Sequence, residues 1–293
     1  MYIKETQERT LTMNRIVCTE QFSTRIILFD AEREDWNGPD TMLWTFDPLY
    51  LSGIQPEQLR LFCAFSEVKP VRNMTHLLIT ASGGAVCLVR IEDKKVVFFG
   101  HGGNNPHSAE LLPDGNIVSV SSSGNCLRLF HVRENRYEDF QLEYGHGAVW
   151  DRKRNCLWTS GLYGITRWEY DGRKLKRCES CNPFPDNEKF YGHDLFPVYG
   201  EDKLYLTGEN MAIFDPERGV VESLEPILKV KSISRNQAGD VLVTVPNEAW
   251  WTDSVSLLKN GVILPYRTRR NMWFYKARWM MPNPFSYDEQ AIM

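Results

Sequence analysis

The chain has 293 residues, 42% hydrophobic and 25% charged, with 20 glycines and 15 prolines, a composition that supports a sizeable core and excludes wholesale disorder. A net charge of −4 leaves no global basic field for coating nucleic acid or an anionic membrane, and no stretch approaches the roughly 18 apolar residues of a membrane-spanning helix. The seven cysteines are scattered and odd in number, unlike a disulfide framework, and the charged first residues lack the apolar segment of a secretory signal, so a cytoplasmic setting is expected.

Residues 1–13 read as an N-terminal extension. Three strand-like runs follow: RIVCTEQ from Arg15, TRIILFDAE from Thr24 and TMLWTFDP from Thr41. Next comes a unit of four short strands that recurs five times, from Glu67 to Gly100, His107 to Tyr144, His146 to Ser180, His193 to Leu224 and Val230 to Tyr266. Turn chemistry separates the strands, as at Pro113-Asp114-Gly115, Ser123-Gly124-Asn125 and Asp171-Gly172. A repeat of about 40 residues with four strands per copy is the signature of a β-propeller. Five copies leave three strands at the N-terminus and one, FYKARWM from Phe274 to Met280, at the C-terminus. Together they make a sixth blade and close the ring, which removes the exposed edges of an open array. The expectation is therefore one all-β domain, a six-bladed β-propeller of four-stranded blades spanning residues 1–293. Its closure pairs the C-terminal strand with the N-terminal strands, and residues 283–293 form a loose tail.

The motifs NPHSAELLPDGNIV, HGAVWD, GHDLFPVYG, WWTDSV and FYKARW resemble those of an uncharacterised bacterial family of six-bladed propellers. That family is more distantly similar to the strictosidine-synthase, gluconolactonase and NHL-type propellers. The resemblance spans about the whole chain and implies the fold; it carries no established activity.

In a propeller the first strand of each blade lines the central channel, so matching first-strand positions form a ring. Here that ring reads Glu67, His107, His146, His193, Lys231 and Lys276, with Arg278 two residues further along. Three of the six histidines fall at one equivalent position of three successive blades. Two readings compete: the imidazoles bond neighbouring backbone and fix the loops, or His107, His146 and His193 form a catalytic cluster. In the second case they could also hold a divalent metal (Zn, Mn or Fe), leaving a position open for water or substrate. Channel-facing histidines on a metal resemble those of oligogalacturonate lyase, an analogy between propellers rather than a shared motif.

Glu67, Lys231, Lys276 and Arg278 are the candidate substrate-binding groups, the cations suiting a carboxylate or phosphate. Among the nine tryptophans, Trp150, Trp250 and Trp251 are expected near the channel mouth, where flat faces suit sugar rings. Trp44, Trp158, Trp168 and Trp279 are expected to pack between blades. Asp151, Asp194 and Glu110 flank the histidines and could orient the imidazoles or make turn bonds. Cys178-Glu-Ser-Cys181 stands alone, without a second pair at zinc-site spacing, and reads as a loop with two thiols. The function expected is that of a carbohydrate lyase or hydrolase acting on a polar or anionic sugar. A non-catalytic module binding a sugar or protein is the alternative, and nucleic-acid or membrane partners are not expected.

Overall fold

The computed structural model describes residues 14–50, 54–182, 189–224, 227 and 229–288. Six four-stranded antiparallel sheets stand in a ring. Blade 1 joins the two ends of the chain: Phe274–Trp279 is its innermost strand, and Arg15–Glu20, Arg25–Asp30 and Met42–Phe46 follow outward. Val17 pairs with Arg278 and Cys18 with Ala277 across that seam. The ring thus closes in the way the leftover strands predict. Blades 2 to 6 begin on the channel with Phe65–Val71, Pro106–Leu111, Gly147–Asp151, Asp194–Pro197 and Ser232–Arg235. The expected N-terminal extension, residues 1–13, lies outside the described residues.

Burial falls from the axis outward, and this sets the sequence pattern of each strand. Every residue of Phe65–Val71, Pro106–Leu111 and Phe274–Trp279 is buried, because one face meets the channel and the other the neighbouring blade. The outermost strand Arg136–Gln141 is mostly exposed and carries Arg136, Glu138 and Asp139. Aromatic side chains fill the wedges between blades: Phe29 stacks on Trp36 at 4.2 Å, and Trp158 meets Phe214 edge-on at 4.9 Å. Trp158, Trp168 and Trp279 are buried there as expected, and Trp44 is half-buried against the second blade. Trp150 departs from expectation. It is buried between blades beside Tyr170 rather than at the mouth, because its place near the end of an inner strand turns it into the wedge.

Of the expected loose tail, residues 283–293, the part up to Asp288 is seated against the blades, and residues 289–293 lie outside the described residues. Met281–Asp288 crosses the channel exit as a strap, with Phe285 packed against the blade 4–5 core and Tyr287 against Val71, Leu111 and Ile117. The Arg152 amide donates to the Phe285 carbonyl at 3.2 Å, and the Tyr287 hydroxyl donates to the buried Glu110 carboxylate. No helix among the described residues is long and apolar enough to cross a membrane.

Candidate functional site

The axis carries two stacked polar layers. The lower one is a buried ionic plug. The Lys276 ammonium lies 2.9 Å from Glu67 and 3.1 Å from Asp194, and Arg278 meets Asp194 at 2.6 Å and Glu67 at 2.9 Å. One step further down, Lys69 pairs with Glu110 at 3.0 Å and donates to the Ala148 carbonyl at 2.5 Å. Three cations thus face three carboxylates, and all six side chains are within 4% of complete burial. Burial alone would raise the Asp194 carboxyl, but Arg278 and Lys276 outweigh it and hold the group well below its usual range. Phe196 covers the Arg278 guanidinium at 4.0 Å from below.

Glu67, Lys276 and Arg278 are therefore gathered on the axis as the ring predicts, but they neutralise one another. A substrate carboxylate would have to displace Glu67 or Asp194 to reach the cations, so a substrate-binding role does not pass to these three. Their depth has a local cause. The turn that precedes His107, the Ser122 amide donating to the Asn105 carbonyl, recurs as Ser82 to Ala64 and Gln21 to Trp273, so Ser66 and Tyr275 hold the ring position of their blades and Glu67 and Lys276 stand one residue deeper.

The upper layer lies where the chain enters the inner strands. His146, His193 and Lys231 are equivalent by hydrogen bonding: their amides donate to the carbonyls of Ser160, Thr207 and Thr244 at the ends of the adjacent strands. His107 sits in the bulge between Pro106 and Ser108, which brings its ring into the same layer. His107 and His146 stack at 4.2 Å, and His146 meets His193 edge-on at 5.5 Å. The three imidazoles thus lie ring against ring in the order of their blades.

Its contacts are unlike those of a metal centre. His146 Nδ1 lies 2.9 Å from the Tyr144 carbonyl, which fixes the proton on that nitrogen. His107 Nδ1 is 3.3 Å from the Tyr275 hydroxyl. The Lys231 ammonium lies 3.0 Å from His193 Nε2, so it takes up the lone pair a metal would need. Among the described residues no three His, Cys, Asp or Glu side chains are arranged to hold a metal ion. The expected Zn, Mn or Fe site does not fit this donor set, and no chemistry is routed through one.

Desolvation dominates the electrostatics of this layer. It pushes His146 down to about 3 and His193 to about 2, with Lys231 and Lys276 adding to the effect, and it drives His107 well below its ordinary value. All three rings are neutral near pH 7. Burial, reinforced by Lys276, also lowers the Lys231 amine to about 8. Lys231 is half-buried and none of the described carboxylates pairs with it. His193 Nδ1, a donor once Nε2 accepts from Lys231, is buried without a partner among the described residues. Buried polar groups are nearly always satisfied, so an open ammonium beside an orphaned donor marks a place for an acceptor.

Several residues of the layer are not among those singled out in the sequence. Tyr275 is buried between the histidines and Lys231, and Tyr144 lies 4.2 Å from the His146 ring. A signal exists: Tyr144-Gly-His146 and Tyr191-Gly-His193 repeat the same triplet in adjacent blades. Tyr144 and Tyr191 have φ of 53° and 50°, and Asn105 and Lys229, also two residues before the ring position, have 57° and 63°. Each thus turns the chain through the left-handed region, at a cost of about 1 kcal/mol or more for a bulky side chain. That turn folds the tyrosine ring over the histidine that follows.

Asp151, Asp194 and Glu110 do not orient imidazoles. Asp151 bonds Arg154 and Trp158, Asp194 belongs to the plug, and Glu110 bonds Lys69 and Tyr287. Trp250 is 54% exposed, with its indole N–H donating to Gln21 at 2.9 Å. Trp251 is committed on one face to Trp273, stacked at 4.6 Å. Their loop is tied to the closing blade by the Thr252 amide donating to the Phe274 carbonyl, next to Tyr275, so it borders the entry mouth. Cys178 and Cys181 are free, partly exposed residues of an outer strand.

These features define a six-bladed propeller with a sealed axis and a polar entry mouth. The chain matches the family of unknown function DUF6528 over residues 2–293 and belongs to that family. No curated protein matches it. Among solved structures it is similar to a protein of unknown function from Bacteroides caccae, with TM-score 0.58, 7% identity, and 92% of this chain and 99% of that one covered. It is also similar to the WD40 repeats of RRP9, with TM-score 0.54, 14% identity and coverage of 79% and 71%. The dihydro-heme d1 dehydrogenase NirN gives TM-score 0.51 and 13% identity over 86% of this chain but only about half, 53%, of that one. At these identities the likeness is one of fold alone.

Proposed function

We propose that the entry mouth binds a polar, anionic sugar and catalyses β-elimination next to its carboxylate, with Lys231 as the proton-transferring group. The observation that carries this reading is the pairing of Lys231 with His193: among the described residues, an ammonium with no carboxylate in ion-pair reach beside a buried donor without a partner. The histidines are too strongly depressed to shuttle protons near neutrality, whereas an amine titrating at about 8 is suited to the task. At pH 7 about a tenth of it is free base. The amine takes the proton from the carbon next to the carboxylate, the bond to the leaving oxygen breaks, and a carbon–carbon double bond forms. The Tyr275 phenol, which burial keeps protonated, returns a proton to the leaving oxygen. His107, His146 and His193 shape and hydrogen-bond the sugar, and the exposed Trp250 face stacks on a neighbouring unit.

The test is absorbance at the wavelength of unsaturated uronates with oligogalacturonides and glucuronate-containing disaccharides as substrates. Turnover is expected to rise with pH around a midpoint near 8 and to vanish in Lys231→Met. Saturable sugar binding without any turnover would support the alternative, a non-catalytic module, which the exposed Trp250 also favours. Neither binding nor turnover across the uronates would remove the carbohydrate reading.

A further inference from the structure

The opposite end of the axis holds a cleft of about 850 Å³, walled on one side by the strap and on the other by the ends of the inner strands of blades 5, 6 and 1. Its volume is within the range of small-molecule sites, roughly 300–1,000 Å³. Phe196 forms the floor, with Val198, Tyr199 and Trp279 around it and Met281 and Phe285 contributed by the strap. The apolar character of this end is not needed to close the channel, because the ionic plug above already does so.

The charged groups at the rim decide what the cleft can take. Arg152 pairs with Asp288 at 3.1 Å, Lys153 with Asp202 at 2.8 Å, and Arg235 with Glu201. Deep in the cleft, Lys69 is already matched by Glu110. An ionic ligand would have to break one of these pairs. An uncharged ligand would bury its surface against aromatic and proline side chains at about 25 cal/mol per Å² without such a loss.

We infer that the exit face is a second binding site, for an uncharged small molecule with an aromatic or fused-ring body, and that the C-terminal strap supplies one of its walls. The Phe196 ring, held flat against Arg278, offers the stacking face, and Phe285 offers the facing wall. Tyr287 fixes the wall by reaching Glu110 through the hydrogen bond already described. This site shares no residue with the entry mouth and does not rest on the proposed elimination.

The probe is N-phenyl-1-naphthylamine, an uncharged aromatic dye whose emission rises and shifts to the blue on burial, titrated against the full chain. Saturable binding at one dye per chain is expected. Phe285→Ala is expected to weaken it about tenfold or more, the loss of one buried aromatic wall. Phe196→Leu, which keeps the floor packed but removes the ring, provides the second reading should Phe285→Ala fail to fold. The sulfonated analogue 1-anilinonaphthalene-8-sulfonate is expected to bind more weakly. No saturable binding, affinity unchanged in both folded variants, or preference for the sulfonate would overturn the assignment.

Discussion

Two layers of the same channel, one residue apart in register, use similar side chains to opposite ends. In the plug, each cation meets a carboxylate and the charges cancel. In the mouth, Lys231 has a neutral imidazole for a neighbour, and His193 keeps an unused nitrogen. The plug spends its polarity on itself, whereas the mouth holds polarity in reserve. A ring of ionisable residues on a propeller axis is thus no indication of a binding site until its partners are counted.

Mutation separates the two layers most sharply. Asp194→Asn leaves Lys276 and Arg278 facing one carboxylate fewer, and chemical denaturation should show a loss of about 3–5 kcal/mol. Lys231→Met removes a half-buried cation with no carboxylate partner among the described residues, so the same denaturation should show no loss of stability, while turnover disappears. A mouth variant as unstable as the plug variant would erase the distinction.

Acid separates the layers next. The mouth histidines are held neutral in the folded chain, at about 3 and 2 for His146 and His193, against 6.5 when unfolded. Between those values the unfolded chain binds more protons, so stability is lost as pH falls below about 6.5. Each histidine contributes about 1.4 kcal/mol per pH unit. The depressed Asp194 acts in the same direction but only below its unfolded value of 3.8. Urea unfolding at pH 6.5 and 5.0 therefore reads the mouth histidines together with His76, which burial also depresses, while the plug's Glu110, raised by burial, acts in the opposite direction. His146→Asn isolates the mouth and should lower the slope by one histidine's share.

Smaller effects test the edges of the comparison. Tyr287→Phe deletes the hydrogen bond between strap and Glu110 and should cost about 1–2 kcal/mol by thermal or urea unfolding. Trp250→Ala, on the exposed rim, should change stability by no more than about 0.5 kcal/mol while weakening sugar binding.

Much of this architecture was legible in the sequence. The repeat length and the odd strands at the two ends define six blades and their closure, and the histidines of three blades announce the ring. Depth along the axis was not legible. Ser66 and Tyr275 hold the ring position of their blades, so Glu67 and Lys276 stand one residue below the histidines, an offset that the spacing does not mark. Nor does a sequence show which cation meets which carboxylate, since Lys276 and Asp194 are brought together from blades far apart in the chain. The strap was hidden for another reason: Met281-Pro-Asn-Pro284 has no strand periodicity, and its seat depends on Phe285 and Tyr287 finding cores built by other blades. The repeated Tyr-Gly-His triplet, by contrast, is a mark of the mouth that the sequence carries in plain view.

The most direct test of the account is the titration of the Lys231 amine, followed by NMR of the side-chain nitrogens and assigned by comparison with Lys231→Arg. A midpoint near 8 is predicted, because desolvation and Lys276 outweigh the opposing pull of the Glu209 carboxylate, which lies outside ion-pair distance. A midpoint at or above the ordinary lysine value of 10.5 would mean that the mouth neutralises its own charge as the plug does, and would contradict the distinction between them.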